Sequence, residues 1–333
     1  MNAEAHAVLP RAFARVVGFG SSVAWLGAAA AAAYLAATAA ILAVVGAPPG
    51  AEMGPFAVSH LTYALWFASV PIALAVLVRG AERDALELAP ALGVGEAERA
   101  AFAGEALDVG RRAVWLGAAF GLLLAIPLCF FWLGPAADLH MGRIYVVTRE
   151  LAVEVAIFAV LGWAAGAGVR LSNITRERAR PDLLDPGAFA PLARNGVRFA
   201  AVYFVIVALG VPSLAVAPAA IADAAAPVWL AVLALAALSV VALIVPCRGA
   251  RDALRAAKRR ELDLVRRQIA EARREREDTR LPGLLAWEAR VAGHPEWPIG
   301  ASALVRSLLF MLLPVASWVA SALVERLIDV SLG

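Results

Sequence analysis

The sequence predicts an all-α fold, a polytopic membrane protein built as a bundle of about seven transmembrane helices with amphipathic cytoplasmic helices. Three observations carry that expectation. Of the 333 residues, 62% are hydrophobic and the mean hydropathy is +0.76, against about 45–50% apolar in an ordinary soluble domain. The excess falls in blocks of about 20 residues, the length that crosses a bilayer. The stretch Arg248–Arg280 directly follows one such block and holds 12 of the 30 Lys and Arg residues. A cation block of this kind resists translocation and fixes the cytoplasmic side.

The first fifteen residues carry Arg11 and Arg15 ahead of an apolar run over 16–46. That run is longer than the roughly 7–15 residues of a signal-peptide core, so an uncleaved first span over 22–46 is expected. Span 2 covers 61–78 with Pro71 inside. The polar loop 79–112 that follows reads as a cytoplasmic hairpin or interfacial helix. Span 3 covers 113–133, with Pro127 near its outer end. An outer loop carries Asp138, His140, Arg143, Arg149 and Glu150 into span 4 at 151–169. A second cytoplasmic loop, 170–198, holds six Arg. Span 5 (199–219, containing Pro212) and span 6 (228–245) complete a first region, 1–247. Residues 248–300 form an Arg-rich cytoplasmic helical segment. Residues 301–333 hold span 7, 304–323 with Pro314 inside, and a short outer C-terminus.

With this threading and a cytoplasmic N-terminus, 27 of the 30 Lys and Arg face the cytoplasm. Three lie outside (Arg143, Arg149, Arg326), a bias in the sense the positive-inside rule demands. Basic residues are almost all Arg and Ala is abundant, so a bacterial inner (plasma) membrane is the expected location. Cys129 and Cys247 fall at different depths, too far apart for one disulfide. No Cys/His spacing suggests a metal and no cofactor is implied. No P-loop, nucleophile elbow, HExxH or kinase signature points to an enzyme.

Within the spans, Glu154 is the foremost polar candidate. It lies four residues after Glu150, on a row that continues through Phe158 to Gly162 and Gly166. Small-xxx-small pairs mark helix-packing faces, here Gly162 with Gly166 and, in span 3, Gly117 with Gly121. Glu154 is therefore expected to project into the bundle, where ionisable groups are costly and usually functional. The plainer alternative is an interfacial acid at the start of span 4, near the helix dipole. Glu150 is expected nearer bulk water. Ser317, Ser321 and Glu325 form a similar polar strip along span 7. Pro71, Pro127, Pro212 and Pro314 are expected helix breaks, of the kind transporters use for hinges and ion ligands.

In the basic stretch, Leu262, Val265, Ile269 and Ala272 make a short heptad seam. It suits a second copy of the chain or a docked partner. The alternative is a helix lying along the membrane with its arginines on anionic lipid headgroups. Seven acids in the same stretch argue against nucleic acid. A faint repeat relates 102–127 to 189–212, which share Phe, Gly, Arg, an apolar run and Pro at similar spacing.

The tail WEARVAGHPEWPIGASALVRSLLFMLLPVASWVASALVERLID resembles tails of uncharacterised bacterial multipass inner-membrane proteins, a resemblance that implies no activity. Two functions fit the sequence. One is a channel or transporter for an ion, a cation by preference because the outer segments carry more acids than arginines, or for a small solute. The other is a signalling or assembly scaffold that binds partners or anionic lipid through its Arg-rich helices.

Overall fold

A computed structural model of the chain describes residues 22–45, 53–133, 141–183, 185–215 and 225–300, with scattered positions between 305 and 323. The helices are α1 (Ser22–Val45), α2 (Met53–Leu88), α3 (Arg99–Leu107), α4 (Arg111–Leu133), α5 (Met141–Arg178), α6 (Ala190–Ala215), α7 (Ala225–Glu275) and α8 (Leu281–Gly293). Short 3₁₀ turns cover 89–92, 96–98 and 186–189, and the described residues contain no strand.

Five stretches are long and apolar enough to cross a membrane: Val23–Ala43, Ser59–Leu92, Glu96–Ile126, Val147–Arg178 and Gly187–Leu209. They contain the expected spans 2 and 4, most of spans 1 and 3, and about half of span 5. Span 6 is the first part of α7, and most of span 7 lies outside the described residues. The rim of the bundle is apolar, with Trp25 on α1 and Trp115 and Leu116 on α4 all more than 70% exposed. Such a surface suits hydrocarbon rather than water.

The helices outrun the spans drawn from hydropathy. α2 continues past Val78 to Leu88, α5 starts at Met141 inside the expected outer loop, and α7 runs 51 residues without interruption. In α2 and α7 good helix formers follow the apolar runs, so nothing stops the helix when hydropathy falls. The Arg-rich stretch is therefore the continuation of span 6 rather than a separate interfacial helix. Pro71 and Pro246 sit inside continuous helices, and Pro127 and Pro212 fall within α4 and α6. A proline removes one helical hydrogen bond, which neighbouring helices tolerate. The expected breaks at Pro71, Pro127 and Pro212 do not interrupt their helices; Pro314 lies outside the described residues.

Two cores stack along the bundle. One joins α2, α5 and α6 around Leu74, Leu77, Val153, Ile157, Phe199 and Tyr203. The other, at the arginine-rich end, gathers Leu88, Phe102, Leu171, Phe189, Leu192 and Leu254, with Trp297 and Ile299 packed against it. The tightest pairing is α4 against α5. A Cβ on Gly117 would strike the Phe158 carbonyl, and one on Gly162 would sit 2.8 Å from the Gly117 Cα. A Cβ on Gly121 would meet the Glu154 carbonyl at 2.6 Å, and one on Gly166 would meet Ala113 Cβ at 2.7 Å. The two suggested repeats differ here: 102–127 is interrupted between α3 and α4, whereas α6 runs unbroken from Ala190.

Candidate functional site

At the arginine-poor end, α1, α2 and α5 converge on a polar and aromatic cluster. Tyr34 is bonded through its hydroxyl to His60 Nδ1 at 2.8 Å. Thr38 donates to the Tyr34 carbonyl at 2.9 Å and also meets the Tyr145 hydroxyl. The His60 and Tyr145 rings stack with centroids 6.1 Å apart. Tyr63 donates its hydroxyl to the Glu150 carboxylate, and the Arg149 guanidinium lies 3.5 Å above the Tyr63 ring centre. Trp66, edge-on to Tyr63, ties α2 to α6 through a 2.9 Å bond from Nε1 to the Ile206 carbonyl.

Glu150 is thus enclosed, at 4% exposure, whereas Glu154 is half-buried. The expected order is reversed because Tyr63 reaches across from α2 and covers Glu150. Both acids lie well inside α5, so neither caps its N-terminus. The two carboxylates lie one turn apart on α5. Tyr203 is 1% exposed and its hydroxyl has no hydrogen-bond partner, an uncommon state for a buried polar atom. Ser317, Ser321 and Glu325 lie outside the described residues, as do Asp138 and His140.

A second polar layer lies at the arginine-rich end. Asp84, 2% exposed, accepts from Arg194 Nε at 2.9 Å and from Arg198 Nη1 at 2.6 Å. Arg194 also reaches Glu87, which pairs with Arg83 at 2.9 Å. Gly80 is what lets Arg198 lie across α2, since a Cβ there would collide with the guanidinium. Beside this network is a cavity of about 10 Å³ bounded by Leu77, Trp163, Ala167, Asn195 and Arg198, room for one water. Between the two layers the interface of α2, α5 and α6 is packed with apolar side chains.

The heptad seam is taken up within the chain. Val265, Ile269 and Ala272 are buried and Leu262 is half-buried, where α8 folds back along α7 with Val291 inside the contact. Trp287 donates to Glu261 at 2.9 Å and Arg266 pairs with Glu288 at 2.8 Å, which raises the Arg266 pKa. Lys258 bonds the His294 carbonyl at 3.0 Å, Arg255 pairs with Glu296 at 2.6 Å, and Arg251 covers the Trp297 ring. A second copy or partner would have to use other faces of this hairpin.

Among the described residues no group of three or more His, Cys, Asp or Glu is placed to hold a metal ion. No family model, curated protein or solved structure matches the chain. Sequence reasoning missed Tyr34, Tyr63, Tyr203 and Asp84. For Asp84 a signal existed: Leu77, Ala81, Asp84, Ala85, Leu88 and Leu92 fall on one helical face, so the acid occupies a core position.

Proposed function

We propose that this integral membrane protein carries a cation across the bilayer, with its arginine-rich end toward the cytoplasm and Glu150 and Glu154 as the binding station. The observation that supports it most is the acid pair one turn apart on α5, with Glu150 enclosed beneath the Tyr63 hydroxyl of α2. Carboxylates withdrawn from water and from lipid are costly and are kept where they bind or move charge. The packed apolar band between the two polar layers favours a carrier that rearranges over an open channel. The expected outcome is cation flux into liposomes containing the purified protein under an imposed gradient. Glu150→Gln and Glu154→Gln each reduce it to the level of empty liposomes. Wild-type protein that passes no cation overturns the reading.

A scaffold role is the second reading, and the α7–α8 hairpin favours it. The hairpin extends beyond the end of α5 and carries exposed Arg259, Arg260, Arg267, Arg273 and Arg274. Such a surface would suit anionic lipid or an acidic partner.

A further inference from the structure

We infer that the outward side of α7 is a docking strip for an acidic α-helix of a partner protein, gripped by arginine pairs that recur every seven residues. This goes beyond transport and rests on the scaffold reading, whose partner it names. The pairs are Arg259–Arg260, Arg266–Arg267 and Arg273–Arg274. A helix turns by about 100° and rises about 1.5 Å per residue, so a seven-residue step returns to nearly the same side about 10.5 Å further on. Arg260, Arg267 and Arg274 therefore form one row along the rod. The row lies about half a turn from the seam of Leu262, Val265, Ile269 and Ala272 that α8 covers.

The strip is uncommitted within the described residues. All six arginines are exposed, and of them only Arg266 pairs with a carboxylate, Glu288 of α8. Arg260 and Arg267 donate to carbonyls of their own helix, at Ala256 and Asp263. Leu264, 43% exposed, stands beside Arg260 and Arg267 and adds an apolar contact to the strip. Asp263 and Glu271 are exposed on the same side, each about one turn from Arg267. The strip therefore alternates in sign along its length, with the cations in excess.

The period selects the occupant. Two helices packed side by side present facing residues to each other every seven positions. Carboxylates at that spacing on a partner helix would meet each arginine pair in turn, and basic residues between them would answer Asp263 and Glu271. Duplex nucleic acid carries a phosphate about every 3.4 Å along each strand, much closer than the arginine pairs, and would press phosphate onto both acids. A layer of anionic headgroups has no such repeat and meets the same two acids. A second copy is disfavoured too. Parallel in-register pairing sets every arginine pair against its own image, and antiparallel pairing about Arg267 sets Arg260 against Arg274, a like-charge contact that opposes association.

The test uses the full chain in nanodiscs of neutral lipid and a labelled synthetic helix whose glutamate pairs recur every seven residues. A second peptide of equal composition carries the same glutamates clustered at one end. Fluorescence anisotropy is expected to show the periodic peptide binding about tenfold more tightly, because several weak exposed pairs then form together. High salt is expected to remove the difference. Arg260→Glu, Arg267→Glu and Arg274→Glu together are expected to abolish this binding and to create binding to a peptide with lysine in place of glutamate, an exchange that misfolding cannot mimic. Equal binding of the two glutamate peptides overturns the helical partner and leaves the scaffold reading intact. Displacement of the periodic peptide by anionic vesicles or an oligonucleotide at matched charge does the same. Unchanged binding in the charge-reversed protein puts the contact elsewhere and overturns the strip. If no peptide, vesicle or oligonucleotide binds, the strip and the scaffold reading both fall.

Discussion

Asp84 holds two arginines on one enclosed carboxylate, each oxygen serving a different guanidinium. Removing one partner from such a network leaves buried charge uncompensated, at a cost of about 3–5 kcal/mol. Asp84→Ala is therefore expected to lower the unfolding midpoint in detergent sharply. Glu87→Ala, whose carboxylate is much more exposed, is expected to lower it little. A smaller shift for Asp84→Ala than for Glu87→Ala would mean that the layer is held by its apolar contacts. The two polar layers were unequally legible. Glu154 stands out in the sequence because an acid interrupts an apolar helix on a glycine-lined row. That Glu150 is the more enclosed of the pair depends on Tyr63, 87 residues away, and no local pattern encodes that approach. Asp84 was hidden by its neighbours: in ERDALEL it reads as one charge among several, and only its phase relative to Leu77, Ala81 and Leu88 sets it apart.

At the level of elements, α4 and α5 meet through glycines, with the Gly117 and Gly162 backbones in contact. Gly117→Leu is expected to force the pair apart and destabilise by about 1–3 kcal/mol, read as a lower unfolding midpoint. Gly104, which has open space around a would-be Cβ, is expected to accept Ala without such a shift. The glycine spacing was legible because close helix approach requires small residues. Helix ends were not, because hydropathy marks where lipid stops and not where hydrogen bonding stops. For α2 and α7 those points differ by many residues, and an arginine-rich helix remains a good helix. The seam in α7 was legible as a seam, but its occupant was not. LLAWEARV pairs with it only because the turn at 276–280 brings α8 back antiparallel. Val265→Asp with Ile269→Asp is expected to open this hairpin. Trypsin should then cut residues 255–290 at far lower enzyme concentration, with the membrane-embedded core intact. Unchanged cleavage would mean that the polar ties at Arg255, Lys258 and Arg266 hold the hairpin without its seam.

For the whole molecule, α7 sets both the reach and the direction of the structure. Its 51 residues make a rod of roughly 77 Å, against a hydrocarbon core of about 30 Å. Leu254 is still packed in the second core, with Arg176 of α5 beside Asp252. From there to Glu275 runs about 32 Å of helix, accompanied by α8 and by the segment that returns to Trp297. The tip therefore stands farther from the bundle than the screening length of about 8 Å at physiological salt. Its arginines are exposed along the hairpin, and Arg248 is exposed at its base. The native thiols make orientation testable in a simple way. Cys247 is fully buried, so a membrane-impermeant maleimide should leave it unmodified in folded protein. In a Cys129→Ser background, Thr279→Cys then puts the one accessible thiol at the hairpin tip. Labelling is expected in inverted vesicles and not in intact cells, and a fluorophore at position 279 should be quenched by aqueous iodide but not by brominated lipid. Labelling from intact cells would place the arginine-rich end outside and reverse the direction of the proposed transport. Quenching by lipid would mean that the hairpin lies down on the membrane, which a continuous α7 permits only if the whole bundle tilts with it.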